Sequence, residues 1–132
     1  VEIKGIETGC PFCSLPAIRI VHEITHVLVI RDLYPVSPGH TLIIPRRHLS
    51  YLAELSESEW ADMQRALQLA KIKLDTELAP DGYNLGINDG AAAGQTVLHL
   101  HMHLIPRYKG DQKDPRGGVR WIFPGKADYW SK

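Results

Sequence analysis

His99-Leu100-His101-Met102-His103-Leu104-Ile105 is the stretch on which the reading of this chain turns. Extended backbone sends successive side chains to opposite faces of a strand. Strict alternation therefore puts three imidazoles on one face and Leu100, Met102 and Leu104 on the other. The apolar face must be covered, so this is a sheet strand packed on a hydrophobic layer. The imidazole face needs a chemical explanation, and three compete. The histidines could simply half-fill a polar face. They could bind metal, although His99 and His103 lie about 13 Å apart along a strand that rises roughly 3.3 Å per residue, so at most an adjacent pair shares an ion. Or one imidazole is a nucleophile. An ordinary histidine, with a pKa near 6.5, is largely neutral at pH 7 and attacks phosphorus without a separate base, provided one ring nitrogen is fixed by a hydrogen bond and the other is exposed. The preceding Gly90-Ala91-Ala92-Ala93-Gly94-Gln95-Thr96 favours phosphate chemistry. Its small residues let backbone N–H groups approach an anion, and Gln95 and Thr96 add side-chain donors. A P-loop is excluded, because G-x-x-x-x-G-K-[ST] does not occur.

Working outward, residues 97–106 read as a strand, and residues 83–88 as another across the small-residue loop. Ser56-Glu57-Ser58-Glu59 has the form of a capping box, from which Trp60, Met63, Leu67, Leu74 and Leu78 recur at helical spacing with Ala70 in the gap. Pro80-Asp81-Gly82 ends that helix. Upstream, residues 18–21, 27–30 and 41–44 are short apolar, β-branched runs bounded by charge, Pro or Gly, and read as three more strands. Residues 1–16 and the tail from Arg107, with Trp121, Phe123, Tyr129 and Trp130, read as irregular. One long helix among strands that otherwise follow each other implies an α+β fold, a mainly antiparallel five-stranded sheet with one long helix, in a single domain over residues 1–132. His22 and His26 carry no motif and read as structural.

Composition narrows the function. With 132 residues, 44% hydrophobic, and 15 basic against 15 acidic side chains, the chain has the makings of a core and no net charge. The field that draws proteins to nucleic-acid polyanions is missing, so no sequence-specific nucleic-acid partner is expected, whereas a nucleotide-sized ligand is. No apolar run approaches the roughly 18 residues of a membrane helix, and Val1-Glu2-Ile3-Lys4 is too polar for a signal peptide. These features lead us to expect a cytoplasmic protein without a membrane partner. Cys10-Pro11-Phe12-Cys13 admits three readings: buried hydrophobes, a glutaredoxin-like redox pair, or half of a zinc site. The redox motif needs a helix starting at the first cysteine, and Pro16 interrupts it. Half a zinc site needs two more ligands, for which His48 and His99 are the best placed.

His99 to Ile105 matches, position by position, the His-φ-His-φ-His-φ-φ signature of the histidine triad superfamily, φ being hydrophobic. Asp32, Pro38-Gly39-His40-Thr41-Leu42-Ile43-Ile44-Pro45, Asn88 and Gln95-Thr96 resemble further family positions, so the likeness spans roughly residues 10–107. Gly94-Gln95-Thr96-Val97 and Ile105-Pro106-Arg107 look Fhit-like, whereas Asp32 and His48 look Hint-like. The resemblance implies a nucleotide hydrolase or nucleotidyltransferase in which His101 attacks the α-phosphorus of a nucleotide ester, anhydride or phosphoramidate. His99, His103 and His40 complete the catalytic set. Asp32 would bind ribose, Leu33 would stack near the base, and Asn88, Gln95 and Thr96 would contact phosphate oxygens or the leaving group. No organic cofactor is implied. The resemblance to zinc-containing members places a structural Zn on Cys10, Cys13, His48 and His99, and implies a homodimer. Two rival readings are a non-catalytic nucleotide sensor or adaptor and a metal-dependent hydrolase using a His99/His101 pair.

Overall fold

The computed structural model describes residues 9–131. The first part of the expected irregular opening, residues 1–8, lies outside them. Hairpin-linked strands β1 (Ile20–Ile24) and β2 (Val27–Arg31) are followed by β3 (Thr41–Pro45), helix α1 (Glu57–Leu78), β4 (Gly82–Ile87) and β5 (Met102–Arg107). All pairings are antiparallel, in the order β1-β2-β3-β5-β4, so the expected fold class holds and β5 is slotted between β3 and β4.

The capping box forms as the sequence implies. Ser56 Oγ accepts from the Glu59 N–H at 3.1 Å, and Glu59 Oε1 accepts from the Ser56 N–H at 2.9 Å. The helix ends on Ala79 in left-handed conformation, φ 46°, just before Pro80. Its inward stripe is Glu59, Asp62, Met63, Ala66, Ala70 and Leu74. The expected core positions Trp60 and Leu78 are instead each 40% exposed. Two carboxylates take the inward positions of the first turns because each has a partner. Arg47 Nη2 donates to Glu59 Oε1 at 2.8 Å, and Asp62 Oδ2 accepts from both the backbone N–H and Nδ1 of His26. Hydrogen bonding from Arg47 holds the Glu59 carboxyl below the ordinary carboxylate range, as His26 does for Asp62. His26 is thus structural, tying the β1–β2 turn to α1.

The sheet is apolar on both faces. Val27, Val29, Ile43, Met102 and Leu104 pack on Met63, Ala66, Ala70 and Leu74 of the helix. Leu28, Ile30, Leu42 and Ile44 form a second layer under Phe12, Leu15 and Ile20. His103 pairs with Leu42 and therefore stands on this second face, away from α1.

Three boundaries differ from expectation. β1 starts late because Ala17–Arg19 close a 3-10 turn, the Arg19 N–H bonding to Pro16 O at 2.9 Å. β5 starts at Met102 rather than residue 97. Before it the chain is anchored elsewhere, with the Leu100 N–H on Leu49 O at 2.8 Å, and His99 is buried alongside Leu100. The tail holds a 3-10 turn, Gly118–Ile122, and a short helix α2, Pro124–Ala127, braced by the Arg120 guanidinium on Lys126 O and Ala127 O.

Candidate functional site

His40 reaches the site because the chain passes close over the end of α1. Gly39 has φ +86°, and a Cβ there would lie 2.8 Å from Leu74 Cδ2 and Leu78 Cδ1, so the position suits glycine on both counts. The Asp32 N–H closes the base of this loop on His40 O at 2.9 Å. The buried His40 then receives the Val36 N–H on Nδ1 at 3.1 Å, while its Nε2 lies 2.9 Å from His103 Nδ1. An N–H on Nδ1 leaves the proton of the neutral ring on Nε2, from where it is donated to His103. The His103 proton is in turn on its own Nε2. Burial lowers the pKa of His40, against the opposing pull of Asp32, and pushes His103 down to about 4 with help from its imidazole neighbours. Both rings are neutral at pH 7, as this chain of donors requires.

His101 lies next along the face, its ring centre 5.1 Å from that of His103. Its Nδ1 donates to the backbone oxygen of His99 at 2.8 Å, which leaves the lone pair on Nε2. Phe12 packs edge-on against it at 5.3 Å between ring centres.

His99 turns the other way. Its Nε2 donates to Pro45 O at 2.7 Å, so the Nδ1 lone pair faces Cys10 Sγ at 3.3 Å and Cys13 Sγ at 3.5 Å. His48 Nδ1 is 3.3 Å from Cys13 Sγ, and the four donor atoms lie within 4.8 Å of one another. Ligands of a tetrahedral Zn²⁺, with bonds near 2.3 Å to sulfur and 2.1 Å to nitrogen, sit about 3.6 Å apart. The spacing, the donor set and the carbonyl-bonded second nitrogen of His99 all fit that ion. A second group of donors, Asp32, His40 and His103, lies equally close, but its imidazole lone pairs are spent on the Val36 and His40 N–H groups. That group is a proton relay in form, not a cation site.

The other expected site residues scatter. Asp32 is 3.5 Å from His40 Nε2 through Oδ2, while its Oδ1 accepts the Tyr34 N–H. Leu33 is 65% exposed beside it. Asn88 is exposed one residue beyond the Ile87↔Met102 pair, on the side of the sheet that carries His101. Thr96 is exposed as well. Gln95 is placed differently: it is buried, its Oε1 accepts the Gly90 N–H, and its amide donates to Ser50 O and Val97 O, so the side chain shapes the loop. The amides of Ala93, Gly94 and Gln95 are likewise bonded inside the loop. The sequence reading also missed Phe12 as a wall of the site, although its place between the two cysteines was the available signal.

The HIT domain family pattern matches residues 17–110. The chain belongs to that family. An uncharacterised HIT-like protein of Methanocaldococcus jannaschii is 37% identical over 107 residues, covering 77% of this chain and 81% of that protein. The crystal structure of a Zn-bound histidine triad family protein from Mycobacterium smegmatis resembles it with a TM-score of 0.71 at 39% identity, covering 80% of both chains. The adenylylsulfatase HINT3 of Arabidopsis thaliana is 36% identical over 116 residues, or 84% of this chain and 58% of that protein. The HIT family is one of nucleotide hydrolases and transferases. For this HIT protein the rival reading of a His99/His101 metal pair is not supported by the geometry. His99 turns its free nitrogen to Cys10 and Cys13, and His101 belongs to neither group of converging donor atoms among the described residues.

Proposed function

We propose that the chain hydrolyses or transfers nucleotidyl groups by cleaving at the α-phosphorus of a nucleotide ester, anhydride or phosphoramidate, through a covalent nucleotidyl-His101. The observation that carries the reading is the 2.8 Å bond from His101 Nδ1 to His99 O, which leaves Nε2 as the nucleophilic atom. In the first step the Nε2 lone pair forms a P–N bond, the bond from phosphorus to the leaving group breaks, and the leaving group departs with the electron pair. Water then attacks phosphorus, the P–N bond breaks, and the nucleoside monophosphate leaves as His101 recovers its neutral ring. The Nε2–H of His103, whose tautomer is fixed by the hydrogen-bond chain from the Val36 N–H through His40, is the donor best placed to meet charge on a phosphate oxygen. Asp32 and Leu33 take the nucleoside, and Asn88, Gln95 and Thr96 meet the phosphate or leaving group. Cys10, Cys13, His48 and His99 would hold a structural Zn²⁺, which would fasten the N-terminal segment to the residues just before β5.

The test is hydrolysis of a panel comprising an adenosine phosphoramidate, a diadenosine polyphosphate, ATP and a nucleotide sugar, by wild type and His101→Ala, with and without brief chelation. We expect turnover to fall by about four orders of magnitude or more in the variant, and under brief chelation to be reduced but not abolished while the protein stays folded. Unchanged turnover in His101→Ala sinks the reading.

A further inference from the structure

His99 belongs to two assemblies at once. Its imidazole stands among Cys10, Cys13 and His48, while its backbone oxygen, a few bonds away, fixes the tautomer of His101. Phe12, carried between the two thiols, touches both rings, with centres 5.8 Å from His99 and 5.3 Å from His101. Any change in the state of the thiols is therefore felt on the nucleophile by two routes, through His99 and through Phe12. The thiols are also disposed to react with each other. Cys10 and Cys13 are partly exposed, close a single turn by the Cys13 N–H on Cys10 O at 3.3 Å, and have their sulfurs within 4.8 Å. An S–S bond of about 2.05 Å needs only a shift of that exposed turn.

We propose that Cys10 and Cys13 form a peroxide-responsive switch acting on His101, a regulation that rests on His101 being the nucleophile. Two thiolates give two electrons to a hydrogen peroxide molecule. One S–S bond forms, the O–O bond breaks, and two solvent protons complete two molecules of water. A disulfide sulfur lacks the thiolate charge that binds Zn²⁺, so the ion loses two of its four donors and is released. His99 then keeps only its bond to Pro45 O, Phe12 moves with the turn, and the carbonyl that orients His101 slackens. The Leu100–Leu49 bond still holds the start of β5, so the effect falls on orientation rather than on the fold. Cys10, Cys13 and His48 are in this sense positioning residues, acting through His99.

The experiment titrates the reduced, zinc-loaded full chain with hydrogen peroxide. Four readouts are followed: free thiols, zinc released to a chromogenic chelator, the long-range 15N–1H correlations of the His101 ring, and hydrolysis of an adenosine phosphoramidate. We expect thiol loss and zinc release to run together and His101 to lose its fixed Nδ1–H signature. The kcat should drop about tenfold to a hundredfold with KM little changed, and thiol reductant with Zn²⁺ should reverse all four. Cys10→Ser/Cys13→Ser should be blind to peroxide, and if that variant does not fold the wild-type titration decides alone. Disulfide formation with the His101 signature and kcat unchanged overturns the proposal. So does a pair that resists oxidation, or oxidation that unfolds the chain. If the reduced protein turns over no substrate, it is the nucleophile reading that fails, while the ring correlations still judge the coupling.

Discussion

At one end of the imidazole face His99 gives its Nε2 proton to a carbonyl and offers a lone pair to two thiols. At the other, His40 accepts a backbone N–H and donates its Nε2–H to His103, which turns its own N–H outward. The side chains are the same and stand on the same side of one sheet. What separates them is the backbone group that meets the first nitrogen: a carbonyl turns a neutral ring into a lone-pair donor, an amide turns it into a proton donor. The thiol end is thereby suited to a cation and the relay end to an anion. His101, between them, is bonded to a carbonyl like His99 but has no thiol beside it, and so presents its lone pair to a substrate.

The comparison can be broken most forcefully at the thiol end. With zinc held there, removing it from the reduced protein should lower Tm by on the order of 10 °C, because a structural metal contributes folding free energy directly. A scanning calorimetry trace that does not move would mean that the cluster is not a staple. The relay end should show itself through pH instead. An unfolded His103 titrates near 6.5 and the folded one near 4, so as pH falls through that window the unfolded chain takes up the proton first. The stability due to this ring is complete above pH 6.5 and drains toward pH 4, at up to about 1.4 kcal/mol per pH unit. His40, also lowered by burial, acts in the same sense. Urea denaturation between pH 7 and 4 should show the slope in wild type and a shallower one in His103→Asn; equal slopes would contradict the neutral relay. The smallest effect sharpens the picture of the loop between the two ends. Gln95→Ala removes three hydrogen bonds and should cost about 2 kcal/mol, with faster amide exchange confined to residues 90–97. Loss of phosphate affinity without that loosening would give Gln95 a ligand-binding role and not a loop-shaping one.

Much of this was legible in the chain itself. The alternation at residues 99–105, the box at Ser56 and Glu59, and the short β-branched runs are local signals, and the elements they imply are present. Burial was misjudged where charge was paired over distance. Glu59 and Asp62 lie inward because Arg47 and His26 wait there, and no local pattern announces such partners. The backbone partners of the Gln95 amide, Ser50 O, Val97 O and the Gly90 N–H, were unreadable for the same reason. His99 departs from simple alternation because β5 begins only at Met102, and Leu49 and Pro45 hold the residues before it. Which nitrogen each histidine exposes could not be read at all, since that depends on single backbone groups: Pro45 O in β3 for His99, the Val36 N–H in the preceding loop for His40, and His99 O for His101.

The order of strands has a consequence for how the protein is made. β4 is synthesised before β5 yet, among the described residues, finds its only sheet partner in it, and β5 must insert between two strands already in being. The contacts that assemble the imidazole face join residues 89 and 63 positions apart, Cys10 to His99 and His40 to His103. Closing such long loops is slow and is rewarded late. A nascent chain can thus form the β1–β2–β3 meander and α1 early, but it acquires both thiol cluster and relay in one late event, so incomplete chains should carry neither.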